Sequence, residues 1–500
     1  MKQGILLILQ GAPDVLMPTT EQPNILFVFA DQLRPHNLGC YGDALVETPN
    51  FDRLAKEGVR FSHAISTHPV CGPFRGMLMT GNFPIKNGLI LTDHYLKNPD
   101  PYFAEVCQAS GYRTGYIGKW HLDGAGRKAY IPPERRLGFE HWRALECTHK
   151  YFESEYYHDD ERSTRTWEDY DAISQTEDAC QYIEKQDDPF CLFLSWGPPH
   201  GPYDAPQSYM EKWKGRDFPL RENVDDFSTG EKLWEQCDTT LPKRYEGMRA
   251  GFKERQLDKS NAVYREQTIG YLASIEVLDD CMGKILKTLE TQEKLENTIV
   301  VFTSDHGDNL GSHRQTGKQL PFEESISIPF IIRYPEKCTP GQVCEKFMRP
   351  IDMMPTLMNL AGVPCHEVDG QAVILNDKEV GDECDGVLIQ KCLALSTNWI
   401  ANGNGPWVGV RTKTHTYARL TNSNTPWMLF DNIKDPYQMS NLIGNIENAE
   451  IQKKLDEKTT DLLSQAGEPE DPEAYARIIR EECEAKGDSS RGEELIPTRL

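Results

Sequence analysis

Short runs of consecutive apolar residues recur along the chain and constrain its fold more than any other sequence feature. Strands that are apolar throughout are typical of a parallel sheet covered by helices on both faces. Helical periodicity separates the runs, as expected for an α/β fold with a central, mostly parallel sheet flanked by helices. The five runs lie at residues 24–30, 115–118, 190–196, 298–303 and 329–334.

The helical patterns also predict how the core is built. One covers residues 51–58, and the longest covers residues 261–290, where apolar side chains recur every three or four positions. Such a stripe predicts packing against the core rather than a cofactor site. Two polar stretches, 145–178 and 201–260, interrupt the pattern and are predicted to be surface loops that shape a substrate pocket.

The chain divides into three predicted regions. Residues 1–20 form a leader of uncertain role, and residues 21–375 form the main, catalytic domain. Residues 376–500 form a small C-terminal α+β subdomain that ends in an acidic tail. Within it, a small antiparallel sheet is predicted from short strands at residues 407–411, 415–420 and 427–430.

Composition excludes several classes of protein. A formal net charge of −23 argues against a nucleic-acid partner, because phosphate binding needs a basic surface. No apolar run approaches the roughly 20 residues that span a bilayer. The apolar residues 5–9 are shorter than a signal-peptide core, which favours the cytoplasm, with a periplasmic or secreted location as the alternative. None of the 14 cysteines forms a CxxC pair, although Cys338 and Cys344 could be bridged.

Polar residues follow four of the apolar runs directly. In open α/β sheets, ligands bind beyond the carboxyl ends of the strands, so these side chains are expected to meet at one edge. Any one of them alone could be a helix cap, but four together predict a functional site. In chain order they are Asp31 and Gln32, Lys119 and His121, His200, and Asp305 and His306.

A subset of these residues suits a metal ion. Asp31, Gln32, Asp305 and His306 offer mostly oxygen donors and one imidazole. Such a set predicts a hard divalent cation, with calcium preferred and manganese or magnesium as alternatives. Gln32 could equally be a loop amide bonded to the backbone.

The segment Cys71–Gly81 places a cysteine at the start of a short predicted helix. Pro73 favours the first turn of that helix, and Gly81 favours the position just past its end. The helix N-terminus carries partial positive charge and free N–H groups, which suit an anion. Arg75 could anchor an oxygen nucleophile or a bound oxyanion. The alternative is a buried thiol in a capped helix.

At these residues the sequence resembles the type I sulfatases of the alkaline phosphatase superfamily, over about residues 23–442. The resemblance rests on several motifs in the same order. The matching segments are residues 24–32, Cys71-Gly72-Pro73-Phe74-Arg75 for the C-x-P-x-R motif, Gly118-Lys119-Trp120-His121, Thr303-Ser304-Asp305-His306-Gly307, and residues 311–318, 351–357 and 429–436.

The resemblance implies a sulfatase whose motif cysteine is oxidised to formylglycine by a formylglycine-generating or anaerobic sulfatase-maturating enzyme. The hydrated aldehyde would attack sulfur, and its second hydroxyl would then expel sulfate. The metal would be held by Asp31, Gln32, the modified Cys71, Asp305 and His306. The implied roles are diol positioning for Arg75, sulfate binding for Lys119, the base for His121, and sulfate binding with protonation of the leaving oxygen for His200 and Lys318.

Two departures from the family pattern keep alternatives open. Phe74 stands where the motif usually has serine or a small residue. Gln32 and His306 stand where many members have Asp and Asn, which resembles the family's phosphonate monoester hydrolases. The first alternative is therefore phosphonate monoester or phosphodiester hydrolysis. The second is a non-catalytic protein that binds sulfated glycans, if Cys71 stays a thiol.

The part of the sequence that recognises the organic group is less distinct. The resemblance implies a sulfated carbohydrate, because family members with extended loops act on sulfated glycans. Trp167, Tyr170 and Tyr203 lie in the two polar stretches. They could stack on sugar rings or simply pack within the loops.

Overall fold

The computed structural model describes residues 22–97, 100–225, 261–375, 384–392, 406–421, 424–469, 472–485 and 487. Several predicted features lie outside the described residues. They are the leader at 1–20, the greater part of the polar stretch at 201–260, the first residues of the predicted C-terminal subdomain, and the end of the acidic tail. Among the described residues, no helix is both long and apolar enough to cross a membrane.

One large sheet dominates the described part of the chain. In spatial order its strands are β10-β2-β9-β8-β1-β7-β3-β4-β5-β6. The strands are β1 (Asn24–Asp31), β2 (Val59–Ala64), β3 (Arg113–Lys119), β4 (His141–Leu145), β5 (Glu155–His158), β6 (Thr164–Thr166), β7 (Phe190–Pro199), β8 (Thr298–Ser304), β9 (Phe330–Arg333) and β10 (Gln342–Met348).

The centre of this sheet is parallel and its margins are mixed. Strands β8, β1, β7, β3 and β4 run parallel to one another. Strand β9, predicted as one of the apolar strands, runs antiparallel to β8 and β2. After β8 the chain stays at the edge where it left the sheet, with one short helix, Glu323–Ile326. Because a parallel return needs a crossover to the opposite edge, β9 re-enters antiparallel.

Helices cover both faces of the sheet, as the apolar strands predict. In β1, Ile25, Phe27 and Phe29 belong to one buried cluster, and Leu26 and Val28 belong to the other. Successive side chains of a strand point to opposite faces, so a strand covered on both sides has no polar face. The helices are Pro49–Glu57, Asp171–Lys185, Gln207–Trp213 and Asn261–Thr291 on one face, and Cys71–Thr80, Phe103–Ala109 and Pro350–Ala361 on the other, with the short helix Pro84–Asn87 beside them.

The long helix Asn261–Thr291 confirms its predicted role in the core. Leu272, Ile275, Leu278, Met282 and Ile285 are all fully buried. The polar stretch 145–178 differs from its prediction as a surface loop, because it contributes β5, β6 and the start of the helix Asp171–Lys185. Its residues are polar because β5 and β6 extend the sheet to an exposed edge, where one side needs no apolar cover.

A second, smaller sheet confirms the predicted antiparallel unit near the C-terminus. The helix Ala449–Ala466 packs on it through Leu463, which lies against Leu388 and Val408. The helix Pro472–Ala485 packs instead against Ile90 and Leu91 of the main body. The possible bridge between Cys338 and Cys344 is not formed, since both are buried free thiols. The strands are β11 (Gly386–Lys391), β12 (Trp407–Thr412), β13 (His415–Leu420) and β14 (Thr425–Asp431).

Candidate active site at the carboxyl edge of the sheet

The sheet brings the predicted site residues to one edge. Asp31 is the last residue of β1, and Lys119 is the last residue of β3. His200 follows β7 directly, and Asp305 follows β8. Because β1 lies between β7 and β8 and runs parallel to both, its end neighbours theirs. The strand-end pattern of the sequence therefore corresponds to a single place in the fold.

Four buried side chains converge to form a donor cluster at this edge: Asp31, Cys71, Asp305 and His306. One potential ligand atom from each lies within 4.8 Å of all the others. The sulfur of Cys71 is 3.2 Å from Nε2 of His306 and 3.7 Å from Oδ1 of Asp31. Nδ1 of His306 lies 3.0 Å from the carbonyl oxygen of Gly307, which assigns the ring proton to Nδ1 and turns the Nε2 lone pair towards the cluster.

The charges of the donor cluster fit a divalent cation. Burial and the charge of Asp31 raise the pKa of Asp305. Burial alone would also raise the pKa of Asp31, but the charges of Lys119 and Lys318 hold it well below its usual range. Two carboxylates this close and this buried repel each other, and a cation between them would offset that repulsion. Carboxylate oxygens with one imidazole are suitable donors for a hard metal ion.

Gln32 lies beside the donor cluster with its backbone at φ 71°. Its main-chain N–H donates to Oδ1 of Asp305 over 3.0 Å. Its side-chain amide bridges two further groups: Nε2 donates to Asp308 over 2.7 Å, and Oε1 accepts from Nζ of Lys318 over 2.8 Å. The amide is therefore bonded to side chains rather than to the backbone.

Cys71 is the first residue of the helix Cys71–Thr80, one position further in than predicted. Gly81 ends this helix with a left-handed backbone, as expected. Arg75 lies one helical turn after Cys71 and is fully buried, and its side chain bonds to residues at the carboxyl edge of the sheet. Its guanidinium donates to the carbonyl of Lys119 over 2.6 Å, to Ser195 over 2.8 Å and to Asp305 over 3.2 Å. Arg75 thus fixes the helix that carries Cys71 against the donor cluster.

Three cationic or imidazole side chains lie beside the donor cluster: Lys119, Lys318 and His200. Lys119 forms an ion pair with Asp31. Nζ of Lys318 lies 2.8 Å from Nε2 of His200, and Nδ1 of His200 lies 2.8 Å from the carbonyl of Gly201. Burial and the charge of Lys318 lower the pKa of His200 well below its usual range. The His200 ring is therefore neutral, and its Nε2 accepts a hydrogen bond from Lys318.

His121 is buried at the same edge and is held by a residue that the sequence patterns did not single out. Its Nε2 lies 3.1 Å from Oδ1 of Asp93. Burial alone would lower the pKa of His121, but the charge of Cys147 and the hydrogen bond to Asp93 raise it to about 10. Arg127 in turn donates to Asp93. An acidic residue that orients a histidine in this way is a common feature of proton-transfer sites.

Two other residues of this edge could have been found from the sequence. Cys147 and His149 follow strand β4, just as Lys119 ends β3. The strand 141–145 was not predicted, because His141 and Arg143 interrupt its apolar residues. Had it been recognised, the same strand-end rule would have pointed to both residues. No local pattern marks Asp93, which a loop brings to His121.

The aromatic residues that the sequence suggested for sugar stacking make contacts within the protein. Tyr170 is fully buried, and its hydroxyl donates to the carbonyl of Asp204. Trp167 stacks on Tyr156 at 3.7 Å between ring centroids. The hydroxyl of Tyr203 donates to Oδ2 of Asp308 over 2.8 Å. These contacts favour the packing alternative for Tyr170 above all.

The α/β sheet and its buried donor cluster define a metal-dependent ester hydrolase of the alkaline phosphatase type. Residues 23–363 match the family described as Sulfatase. Residues 311–465 match the family described as N-sulphoglucosamine sulphohydrolase, C-terminal. The chain belongs to the sulfatase family, as the sequence motifs predicted, and is a sulfuric ester hydrolase.

Individual relatives extend this assignment over most of the chain. An ulvan-active sulfatase of Formosa agariphila is 38% identical over 89% of this chain and 82% of its own length. An N-acetylglucosamine-6-O-sulfatase of Bacteroides thetaiotaomicron is 26% identical over 87% of this chain and 85% of its own. A solved structure in complex with its substrate, D-glucosamine-2-N,6-O-disulfate, superposes with a TM-score of 0.76 at 26% identity, covering 89% of this chain and 98% of that one.

The fold is also shared with phosphonate monoester hydrolases. That of Agrobacterium radiobacter superposes with a TM-score of 0.71 at 20% identity, covering 89% of this chain and 96% of its own. At this identity the likeness concerns the fold alone.

Proposed function

We propose that this enzyme hydrolyses the sulfate ester of a carbohydrate, with a formylglycine made from Cys71 as the nucleophile. The observation that carries the proposal is the position of Cys71 at a helix N-terminus within the donor cluster. The Cys71 sulfur stands in for the reactive oxygen of the converted residue. A thiolate is a poor partner for a hard cation, whereas a diol oxygen is a good one.

The proposed metal ligands are Asp31, Asp305, His306 and the converted Cys71, with the amide oxygen of Gln32 completing the set. Oxygen donors predominate, so calcium is the proposed ion, with manganese or magnesium as alternatives. When both groups are in place, the hydrated aldehyde supplies the nucleophilic oxygen and the cation offsets negative charge on the sulfate group.

The surrounding cations bind and orient the sulfate group. Lys119 and Lys318 are buried close to the donor cluster: Lys119 pairs with Asp31, and Lys318 donates to Gln32. Ammonium groups in a site with little water stabilise sulfate oxygens much more strongly than they would at the surface. Arg75 keeps the converted residue in line with the sulfur through its bonds to Lys119, Ser195 and Asp305.

The proposed proton transfers involve His200 with Lys318 in one step and His121 in the other. His200 and Lys318 share a hydrogen bond of 2.8 Å, so this pair can deliver a proton to the departing sugar oxygen. His121 is the proposed base for sulfate expulsion. Asp93 orients its ring. Because the pKa of His121 is raised to about 10, the ring holds a proton at neutral pH and acts as the base only after it has released that proton.

The relatives support the carbohydrate substrate, since their names include ulvan-active and N-acetylglucosamine-6-O-sulfatases. The proposal also requires a maturation enzyme as a partner. Cys71 is 3% exposed and Phe74 is fully buried, so the folded protein hides the motif. Conversion would therefore take place before the chain folds.

The test is a panel assay on protein whose Cys71 has been examined by peptide mass spectrometry. We expect an aldehyde at Cys71, a bound divalent cation, and sulfate release from sulfated saccharides that stops on chelation and returns with calcium. The panel also contains an aryl sulfate, a phosphodiester and a phosphonate monoester. Higher kcat/KM on either phosphorus ester would replace the proposal with the first alternative. Active protein with unmodified Cys71 would refute the mechanism, and inactive protein with unmodified Cys71 would support the glycan-binding alternative.

A further inference from the structure

A chain of contacts leads from the surface to His121. The side chain of Arg127 is 49% exposed and donates from Nη2 to Oδ2 of Asp93 over 2.8 Å. Asp93 is 24% exposed and bonds in turn to the buried His121. Arg127 is therefore the solvent-exposed end of this series of contacts, and two side chains, Asp93 and His121, separate it from the proposed sulfate site.

A second chain of contacts leads from the surface to Lys318. The exposed His149 lies flat on His200, with 4.4 Å between ring centroids and 9° between ring planes. His200 then contacts the buried Lys318 through its Nε2. On the proposed mechanism this pair protonates the leaving oxygen, so His149 lies on the side from which the organic group departs.

The two series of contacts begin at neighbouring surface residues, Arg127 and His149. The backbone N–H of Cys147 donates to the carbonyl of Arg127 over 3.1 Å. The sulfur of Cys147 lies 3.8 Å from Nε2 of His149, two residues further on. Arg127 and His149 are thus neighbours on adjoining segments. Both series of contacts therefore run from this exposed pair to buried side chains that the proposed function assigns to the sulfate group.

Arg127 is equipped to bind an anion at this rim. Its Nε and Nη2 face Asp93, whereas Nη1 has no hydrogen-bond partner among the residues that the structure describes. A planar guanidinium with a free N–H edge matches a carboxylate or a sulfate. The chain as a whole carries a formal charge of −23, so an anionic group of a substrate needs a local cation such as Arg127 to bind it.

We propose that the rim formed by Arg127 and His149 selects saccharides that carry a second anionic group close to the scissile sulfate. Arg127 binds this group, and His149 lines the opposite side of the opening. The shared chemistry is an oxyanion, which either a uronate carboxylate or a second sulfate supplies. The inference rests on the proposed function, because it requires the scissile sulfate to occupy the buried pocket.

The test compares three sulfated saccharides that share the same scissile ester. One carries no other charge, one carries a uronate carboxylate, and one carries a second sulfate. In the wild type we expect a higher kcat/KM for at least one of the doubly charged substrates. In Arg127→Gln that advantage should fall about tenfold, mainly through KM, and Arg127→Lys should retain part of it.

The ratio of kcat/KM between the doubly charged and the singly charged substrate separates the contribution of the rim from that of the rest of the site. Loss of Arg127 also disturbs Asp93 and His121, but that effect slows all three substrates equally and cancels in the ratio. Arg165→Gln is the matched control, since this arginine is similarly exposed and paired with Glu161 on the far edge of the sheet. The inference is overturned if wild type shows no preference, or if Arg127→Gln keeps it. Failure of the proposed function is distinct, since no substrate would then release sulfate.

Discussion

His200 illustrates how surroundings decide the chemistry of a single residue. The imidazole is buried, neutral and bonded on both nitrogens, to the Gly201 carbonyl and to Lys318. An exposed histidine would exchange protons with water. On the proposed mechanism, the proton for the leaving group comes through Lys318, which donates to His200. The role of His200 therefore depends on a lysine more than one hundred residues away in the sequence.

This arrangement predicts a dependence on the leaving group. His200→Ala should lower kcat on a sugar sulfate by about 10²–10⁴-fold, because an alkoxide needs a proton to depart. A nitrophenolate leaves unaided, so the loss on a nitrophenyl sulfate should be at least about tenfold smaller. Steady-state kinetics on both substrates checks this, with His158→Ala as a control outside the site. Equal losses on the two substrates would assign His200 to binding alone.

At the scale of elements, the end of β3 must lie very close to β7. Gly118 has φ +104°, and a Cβ there would stand 2.0 Å from the carbonyl oxygen of Ser195. Only glycine allows this approach. The approach also sets the position of two groups that Arg75 binds, the Lys119 carbonyl and the Ser195 hydroxyl. One glycine thus aligns both strands with the helix that carries Cys71.

Gly118→Ala should therefore lower both stability and turnover. We expect a loss of about 2–4 kcal/mol in the free energy of unfolding, from backbone strain and the clash with β7 together. Gly126→Ala separates the two causes, because Gly126 has φ +121° but no atom within 4 Å of the added Cβ. Denaturant unfolding and kcat on an aryl sulfate are the measurements. Equal effects in both variants would show that strain alone, without the close approach, explains the loss.

At the scale of the whole molecule, the buried carboxyl of Glu468 links the C-terminal segment to the main body. Glu468 is 5% exposed. It accepts from the backbone N–H of Ile85 over 3.2 Å and from the hydroxyl of Tyr475 over 2.5 Å. Among the described residues, no lysine, arginine or histidine forms an ion pair with this carboxyl. Burial raises the pKa of Glu468 to about 7.

This acid predicts a loss of stability as the pH rises. Below pH 4.5 the carboxyl is protonated in both the folded and the unfolded chain. Between pH 4.5 and about 7 only the unfolded chain ionises, so the free energy of unfolding falls, by an order of 3 kcal/mol at most. Glu468→Gln should flatten this part of the profile. Thermal unfolding midpoints at pH 5 and pH 8 measure this change in stability, and a Glu481→Gln variant, at an exposed position, is the control. An unchanged slope in Glu468→Gln would contradict the prediction.

The sequence by itself determined the α/β class, the sulfatase family and the set of polar residues that meet at the carboxyl edge of the sheet. It could do so because apolar strands, strand-end polar residues and the Cys71 motif are local signals. Tertiary structure alone decided the direction of β9, the contribution of residues 145–178 to the sheet, and the contacts of Asp93 with His121 and Arg127. These depend on which segments meet across the sheet edge, and contacts between distant segments leave no periodic trace in the chain. The site proposed for sulfate is thus visible in the sequence, whereas the proposed rim for the sugar depends on contacts that form only in the fold.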